Sequence, residues 1–318
     1  MNDVMIRHMT EEDIQETDKI IRLAFGTFRS IEDPESYRAD SRYAYPRYHA
    51  DPSTSFIAEL NGKIIGSNFG LHWGSVGIFG PLTIHPDYWD NGVGSKLMES
   101  VVRCFEKWGV THSGAMTFAN SPKHINLYRK FGYHPRFLIP VMSKKIEPKS
   151  IPSNSKYTWT RYSESKISPD KYLDECKQVT NTVYPDLDLQ LEIKAVDKMG
   201  LGDTVILIDE SKEIVGFAIC HCGIHTEAGD DKCYVKFGAV KTNSNSQSNF
   251  RNLLNACQEF AISKSLSTLV AGTSMGRHNA YQSMLNQNFS IDFLGVSLHQ
   301  PNNDAYNVAD SYVVDDWR

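Results

Sequence analysis

Apolar residues along this chain fall into short blocks, some alternating with polar positions and some at helical spacing, and turn formers separate them. That pattern predicts strands and helices in alternation rather than a helical bundle. Residues 4–8 predict a short strand. Thr10, with Asp13 three positions on, predicts a capped helix start, and Ile14, Ile20, Ile21 and Phe25 follow near helical spacing. Residues 30–52, rich in Tyr, Arg and Pro, predict a helix-and-loop insertion. Residues 56–60 and 63–73 flank Asn61-Gly62, a strong hairpin signal. One strand is expected over 76–85, a helix over 92–108 ended by Gly109, and a strand over 111–118. A helix over 122–131 and a closing strand over 133–142 complete the unit.

The pattern then repeats. Residues 143–156 hold prolines, serines and lysines with little apolar content, the composition of a linker. Beyond it come a helical stretch, a hairpin over 204–222, a strand over 234–240, and then helix, strand, helix and closing strands. Leu82-Thr83-Ile84 matches Gly238-Ala239-Val240 at an offset of 156, which also carries Leu97 to Leu253 and Gly132-Tyr133 to Asn288-Phe289. In the earlier hairpin, Lys63-Ile64-Ile65-Gly66 matches Glu213-Ile214-Val215-Gly216 at an offset of 150, so a longer hairpin loop is expected around residues 225–232. Two copies of one mixed unit follow, with domains expected at 1–143 and 157–318 and a linker at 144–156.

Composition narrows the class. The 318 residues carry a formal charge of -5, which argues against a nucleic-acid partner, since that function needs a basic face. Residues 64–84 contain no Lys, Arg, Asp or Glu, but five glycines and Pro81 punctuate them, so a buried hairpin is expected rather than a membrane span. No basic-then-apolar leader follows Met1, and a cytoplasmic chain with reduced cysteines is expected. Cys220, Cys222, His225 and Cys233 could approach one another as in a zinc site. Their spacing fits buried strand cysteines better, and no metal is expected.

The chemistry concentrates in residues 84–97, a strand end, a glycine loop and a helix start. Trp89, Asp90, Asn91, Gly92, Val93, Gly94 and Ser95 would turn successive backbone N–H groups toward an anion, and the helix dipole adds partial positive charge. This stretch resembles motif A of the GNAT acetyltransferases, Gln/Arg-x-x-Gly-x-Gly/Ala after a strand, with Trp89 at the Gln/Arg position. Downstream, residues 121–133 resemble the family's Asn-x-x-Ala-x-x-x-Tyr-x-x-x-Gly-Phe helix: Tyr128 and Gly132 match, Tyr133 stands for Phe, and Ser121 and His124 fill the Asn and Ala positions.

The resemblance covers about residues 4–142, with a weaker one over 156–318. It implies an α+β (mixed α/β) fold of two tandem GNAT-like domains, each a mixed, mostly antiparallel twisted sheet flanked by helices. It also implies an N-acetyltransferase that takes acetyl-CoA as donor and an amine of a small molecule or peptide as acceptor, held in a cleft between the halves. Leu82, Thr83 and Ile84 would hold pantetheine, the loop from Trp89 to Ser95 the pyrophosphate, with Ser121 and Tyr128 contributing. Tyr128 would protonate the leaving thiolate. No carboxylate stands on the 76–84 strand, which leaves His72, or else His85, as the base. Tyr43, Tyr45 and Tyr48 could line the acceptor pocket.

In the second copy Gly92 becomes Ser248, Gly94 becomes Phe250, Tyr128 becomes Met284 and Gly132 becomes Asn288. That copy is therefore expected to be degenerate and unable to bind the cofactor. The alternative to an enzyme is a non-catalytic acyl-CoA-binding sensor. No membrane partner is expected, and the chain is expected as a monomer or homodimer.

Overall fold

A computed structural model describes residues 3–146, 156–164 and 168–318. The first copy runs β1 (Met5–His8), α1 (Ile14–Phe28), α2 (Ala44–Ala50), β2 (Ser55–Leu60), β3 (Lys63–Trp73), β4 (Val76–Phe79), β5 (Thr83–Ile84), α3 (Val93–Trp108), β6 (His112–Phe118), α4 (Pro122–Arg129) and β7 (His134–Lys145). The second runs β8 (Tyr157–Arg161), α5 (Pro169–Asn181), α6 (Gln190–Met199), β9 (Gly202–Asp209), β10 (Ile214–Cys222), β11 (Lys232–Val240), α7 (Ser246–Ser263), β12 (Thr268–Gly272), α8 (His278–Asn286), β13 (Ser290–Gln300) and β14 (Val313–Val314). The 156-residue offset carries β6, α4 and β7 onto the starts of β12, α8 and β13, so the repeat read from isolated residues holds through whole elements. Residues 147–155 of the expected linker lie outside the described residues. Its first residues, Lys144 and Lys145, extend β7 and pair with Leu269 and Thr268.

Local chemistry accounts for the element ends. The Thr10 backbone N–H donates to Asp13 Oδ2 at 2.7 Å, and Asp13 also takes Arg7 at 2.7 Å, fixing the turn that starts α1. Gly109, at φ +67°, ends α3 with its N–H on the carbonyls of Glu106 and Phe105. Gly132, at φ +81°, has its counterpart in Asn288 at φ +64°, so the second copy keeps the left-handed turn with the non-glycine residue that tolerates it best.

Among the described residues fourteen strands form one mixed sheet, twelve in the order β1-β2-β3-β4-β6-β13-β7-β12-β11-β10-β9-β8, with β5 beside β3 and β14 beside β11. Pairing is antiparallel except at β4·β6 and β11·β12. The two copies exchange their closing strands. β13 of the second copy lies between β6 and β7 of the first, with Gly295 opposite Phe118 and Ile139, and β7 continues on to β12 of the second. An apolar core crosses the same boundary: Leu71, Trp73 and Ile78 of the first copy pack with Leu173, Ile193 and Phe237 of the second.

The strand expected over 76–85 is broken. β4 ends at Phe79, residues 80–82 leave the ladder, and β5 rejoins β3 through Gly66 opposite Ile84. Pro81 has no N–H to offer the ladder, and Gly80 sits at φ +126°. β4 pairs with β6 from Val76 opposite His112 as far as Ile78 opposite Gly114, after which the two strands part. In the second copy, the matching strand β11 is continuous. It too stops pairing with β12 early, after Tyr234 and Val270, but β14 fills the gap, with Val314 opposite Gly238 and Val313 opposite Ala239.

Because both edges of β7 pair with strands of the second copy, and both edges of β13 with strands of the first, neither half retains a complete sheet alone. The full chain should unfold in one calorimetric transition, and a fragment of residues 1–146 should lack cooperative unfolding, having lost β13 beside β6 and both partners of β7. Two separated transitions, or a fragment that melts cooperatively, would contradict this.

Candidate active site

Where β4 and β6 part, a cavity of about 500 Å³ opens. Its walls bring together Leu82, Thr83, Ile84, Trp89, Asp90, Gly92, Val93, Gly94, Ser95 and Tyr128 of the residues singled out in the sequence. Asn91 and Ser121 are outside this lining. Asn91 donates to the Trp89 carbonyl at 2.9 Å, and the Ser121 hydroxyl caps α4 by accepting from the His124 N–H at 3.5 Å.

The loop before α3 has the form of an anion cradle. Gly92 stands at its N-cap with φ +76°, a conformation strained for other residues, and a Cβ there would meet nothing within 4 Å. At Gly94 the constraint is space rather than φ, since a Cβ would come within 3.1 Å of Leu127. The first two N–H groups of α3, at Val93 and Gly94, have no intrahelical acceptor and belong to cavity-lining residues, while Ser95 donates to the Gly92 carbonyl at 3.1 Å. Trp89 donates its indole N–H to the Ile84 carbonyl at 2.7 Å, and Lys123 joins it, 5.0 Å from the ring and 2.9 Å from Asp90. The aromatic residue thus ties the loop to β5 and α4 by a different contact from the one a Gln or Arg would make. In the second copy α7 begins nearly a turn earlier, so Ser248 lies inside the helix. Phe250 is fully buried, with its ring 5.4 Å from that of Tyr312.

Tyr128 is buried against Phe79 with ring centroids 5.2 Å apart, and its hydroxyl has no hydrogen-bond partner among the described residues. Burial alone raises its pKa well above the ordinary phenol value, so it stays protonated. His72 is stacked on Trp108 at 4.3 Å and does not line the cavity. His85 accepts from the Asp87 N–H at 3.3 Å and also lies outside. Of the three tyrosines, Tyr43 lines the cavity; Tyr45 packs edge-on to His49, and Tyr48 joins the cluster beneath α1.

Sequence reasoning missed much of the far wall. His124 lines the cavity one helical turn before Tyr128, its ring 5.1 Å from Phe28; burial first, and Lys123 second, lower its pKa, so it is neutral. Phe25, expected only as part of an apolar helix face, and Phe28 also line the cavity. Phe293, Trp317 and Arg318 come from the second copy, and no motif announces them.

A buried ion cluster from both copies supports this wall. Arg47 of α2 donates to the Gly80 carbonyl at 2.5 Å and to Glu227 of the second copy at 3.3 Å. Lys236 bridges Glu227 and Glu192 at 3.1 Å each. The long hairpin loop foreseen in the second copy delivers Glu227. It docks on the first copy through the Arg42 N–H to the Thr226 carbonyl at 3.0 Å and the His225 N–H to the Asp40 carbonyl at 2.9 Å. Burial raises and Arg47 and Lys236 lower the Glu227 pKa, and the net result is well below the carboxylate range. His221, fully buried beside the cluster, has its pKa brought down to about 4, by burial first and Lys236 second, with Glu227 and Glu192 opposing. Among the described residues no group of three or more His, Cys, Asp and Glu is arranged to hold a metal ion. Cys222 and Cys233 are cross-strand neighbours with sulfurs 3.8 Å apart.

His221 gives a pH dependence with a defined sign. The unfolded chain binds its proton below about pH 6.5 and the folded chain only below about 4, so stability falls as pH drops through that window. The contribution is on the order of 3 kcal/mol at full protonation of the unfolded chain. His221→Leu should flatten the slope of denaturation midpoint against pH between 6.5 and 4; an unchanged slope would exclude His221 as the titrating group.

The Acetyltransferase (GNAT) family profile matches residues 17–133. An acetyltransferase of Sodalis glossinidius is 25% identical over 96 residues, 30% of this chain and 68% of that protein. The GCN5-related N-acetyltransferase of Sphaerobacter thermophilus superposes with a TM-score of 0.62 at 13% identity, over 94% of this chain and 96% of that one. A tandem GNAT protein from the clavulanic acid biosynthesis pathway superposes with a TM-score of 0.57 at 11% identity, over 93% and 98%. At such identities the two structures speak for the fold alone. Residues 17–133 belong to the GNAT acetyltransferase family, set in a chain whose two halves have the tandem form of that fold.

Proposed function

We propose that the first copy transfers an acetyl group from acetyl-CoA to an amine, and that the second copy binds no cofactor of its own. The observation that carries this reading is the open split between β4 and β6, with a glycine cradle at one end and the Tyr128 hydroxyl inside. In the second copy β14 occupies the corresponding split and Phe250 the cradle. The residues suit the donor. N–H groups at the start of α3 suit a pyrophosphate, and Leu82 and Ile84 offer backbone polar groups beside the gap; Lys123, paired with Asp90 at 2.9 Å, stands at its rim.

Acetyl-CoA supplies an activated carbonyl. The amine nitrogen forms the new C–N bond as the C–S bond breaks. Tyr128 gives its phenolic proton to the departing sulfur, which its raised pKa permits only as negative charge develops there. We assign the amine's proton to His124, the neutral histidine of the cavity wall, in place of His72, which is stacked on Trp108.

Tyr128→Phe should lower kcat by about a hundredfold or more with little change in acetyl-CoA affinity, read as release of free CoA thiol. An unchanged kcat with chemistry rate-limiting would remove Tyr128 from the mechanism. Gly94→Phe, which copies Phe250, should abolish acetyl-CoA binding while the melting transition persists. Retained affinity in a folded variant would show that the loop does not hold the phosphates.

A further inference from the structure

The cavity continues past the donor groove to an end enclosed by α1, the segment before α2 and the second copy. Phe25, Phe28, Tyr43, Phe118 and Trp317 give that end an aromatic lining. Its charges are one-sided. Asp90 is the sole carboxylate side chain among the described lining residues, and it is on the donor loop, paired with Lys123 at 2.9 Å.

Three guanidiniums face the same end: Arg22, Arg38 and Arg318. Arg318 is neutralised by Asp316 at 2.7 Å. Arg38 donates Nη2 to the Glu227 carbonyl at 3.0 Å and Nε to the Ser41 hydroxyl at 3.4 Å, and Arg22 donates Nε to the Glu35 carbonyl at 3.2 Å. Neither Arg22 nor Arg38 forms an ion pair within the described residues. Carbonyl and hydroxyl acceptors hold these groups in place, and the carboxylates of Asp40, for Arg38, and Asp18, for Arg22, act on them without direct contact. A half-buried guanidinium without a contacting carboxylate can still take an anion, and carboxylate fits its fork geometry.

Resting on the acetyltransferase reading above, we propose that the acceptor is an amine with an aromatic or large aliphatic body that also carries a carboxylate, and that Arg38 binds this carboxylate. Polycationic acceptors are disfavoured, since they would enter a wall that is already positive and offers them no acid. The same positive field lowers the pKa of an ammonium placed there and favours the free amine. That provides the nucleophile in a site where the weakly basic His124 takes the place of a catalytic carboxylate.

The test compares matched acceptors on the full chain with acetyl-CoA: phenylalanine and tryptophan, their decarboxylated counterparts phenethylamine and tryptamine, and spermidine. Carboxylated acceptors should give the highest kcat/KM. Arg38→Gln should raise their KM roughly tenfold or more while leaving KM for phenethylamine and for acetyl-CoA unchanged. Preference for spermidine or for the decarboxylated amines, or equal effects of Arg38→Gln on all acceptors, would overturn the assignment and leave the acetyltransferase reading standing. Acetyl-CoA binding without thiol release on any amine would overturn both, in favour of a non-catalytic binding protein.

Discussion

A strand buried in the middle of a sheet must find hydrogen-bond partners on both edges, and in this chain that requirement joins the two copies. β13 takes one edge from β6 and the other from β7, and β7 takes its second edge from β12. Unpaired, those edges would leave rows of buried N–H and C=O groups, each costing about 1–3 kcal/mol. The exchange therefore ties each copy's sheet to the presence of the other. It also makes the relative placement of the copies a consequence of strand register rather than of side-chain docking.

That fixed placement explains how a copy with no cradle of its own contributes to the cavity of the other. The segment after β13 returns through the second copy's split as β14, which consumes the backbone groups that would otherwise line a cofactor groove. It then delivers Trp317 and Arg318 to the first copy's cavity. From the other side, Glu227 neutralises Arg47, whose guanidinium holds the Gly80 carbonyl at the break between β4 and β5. Leaving either partner of such a fully buried pair uncompensated costs several kcal/mol. Loss of its own groove and support of its neighbour's come from the same pieces of chain.

The sequence revealed what depends on local chemistry. The capping box at Thr10 and Asp13, the Asn61-Gly62 hairpin, the glycine cradle and the constant offset between the copies are written in neighbouring residues. The exchange of β7 and β13 was not legible, because alternation along a strand says which face is buried and nothing about which strand lies alongside. The split strand was legible only in part: Pro81 signalled an interruption, but not that β5 would rejoin β3. His72 drew attention as a polar residue on an apolar strand, and Trp108, a helix away, decides its surroundings. Phe293, Trp317 and Arg318 reach the cavity only through long-range topology.

The account stands on one open groove and one filled groove in the same chain. Isothermal titration of the intact protein with acetyl-CoA tests this most directly. One site per chain is expected, its binding lost in Gly94→Phe and unaffected by Phe250→Ala. Two equivalent sites per chain, or a single site that survives Gly94→Phe and disappears on changes around Phe250, would contradict it.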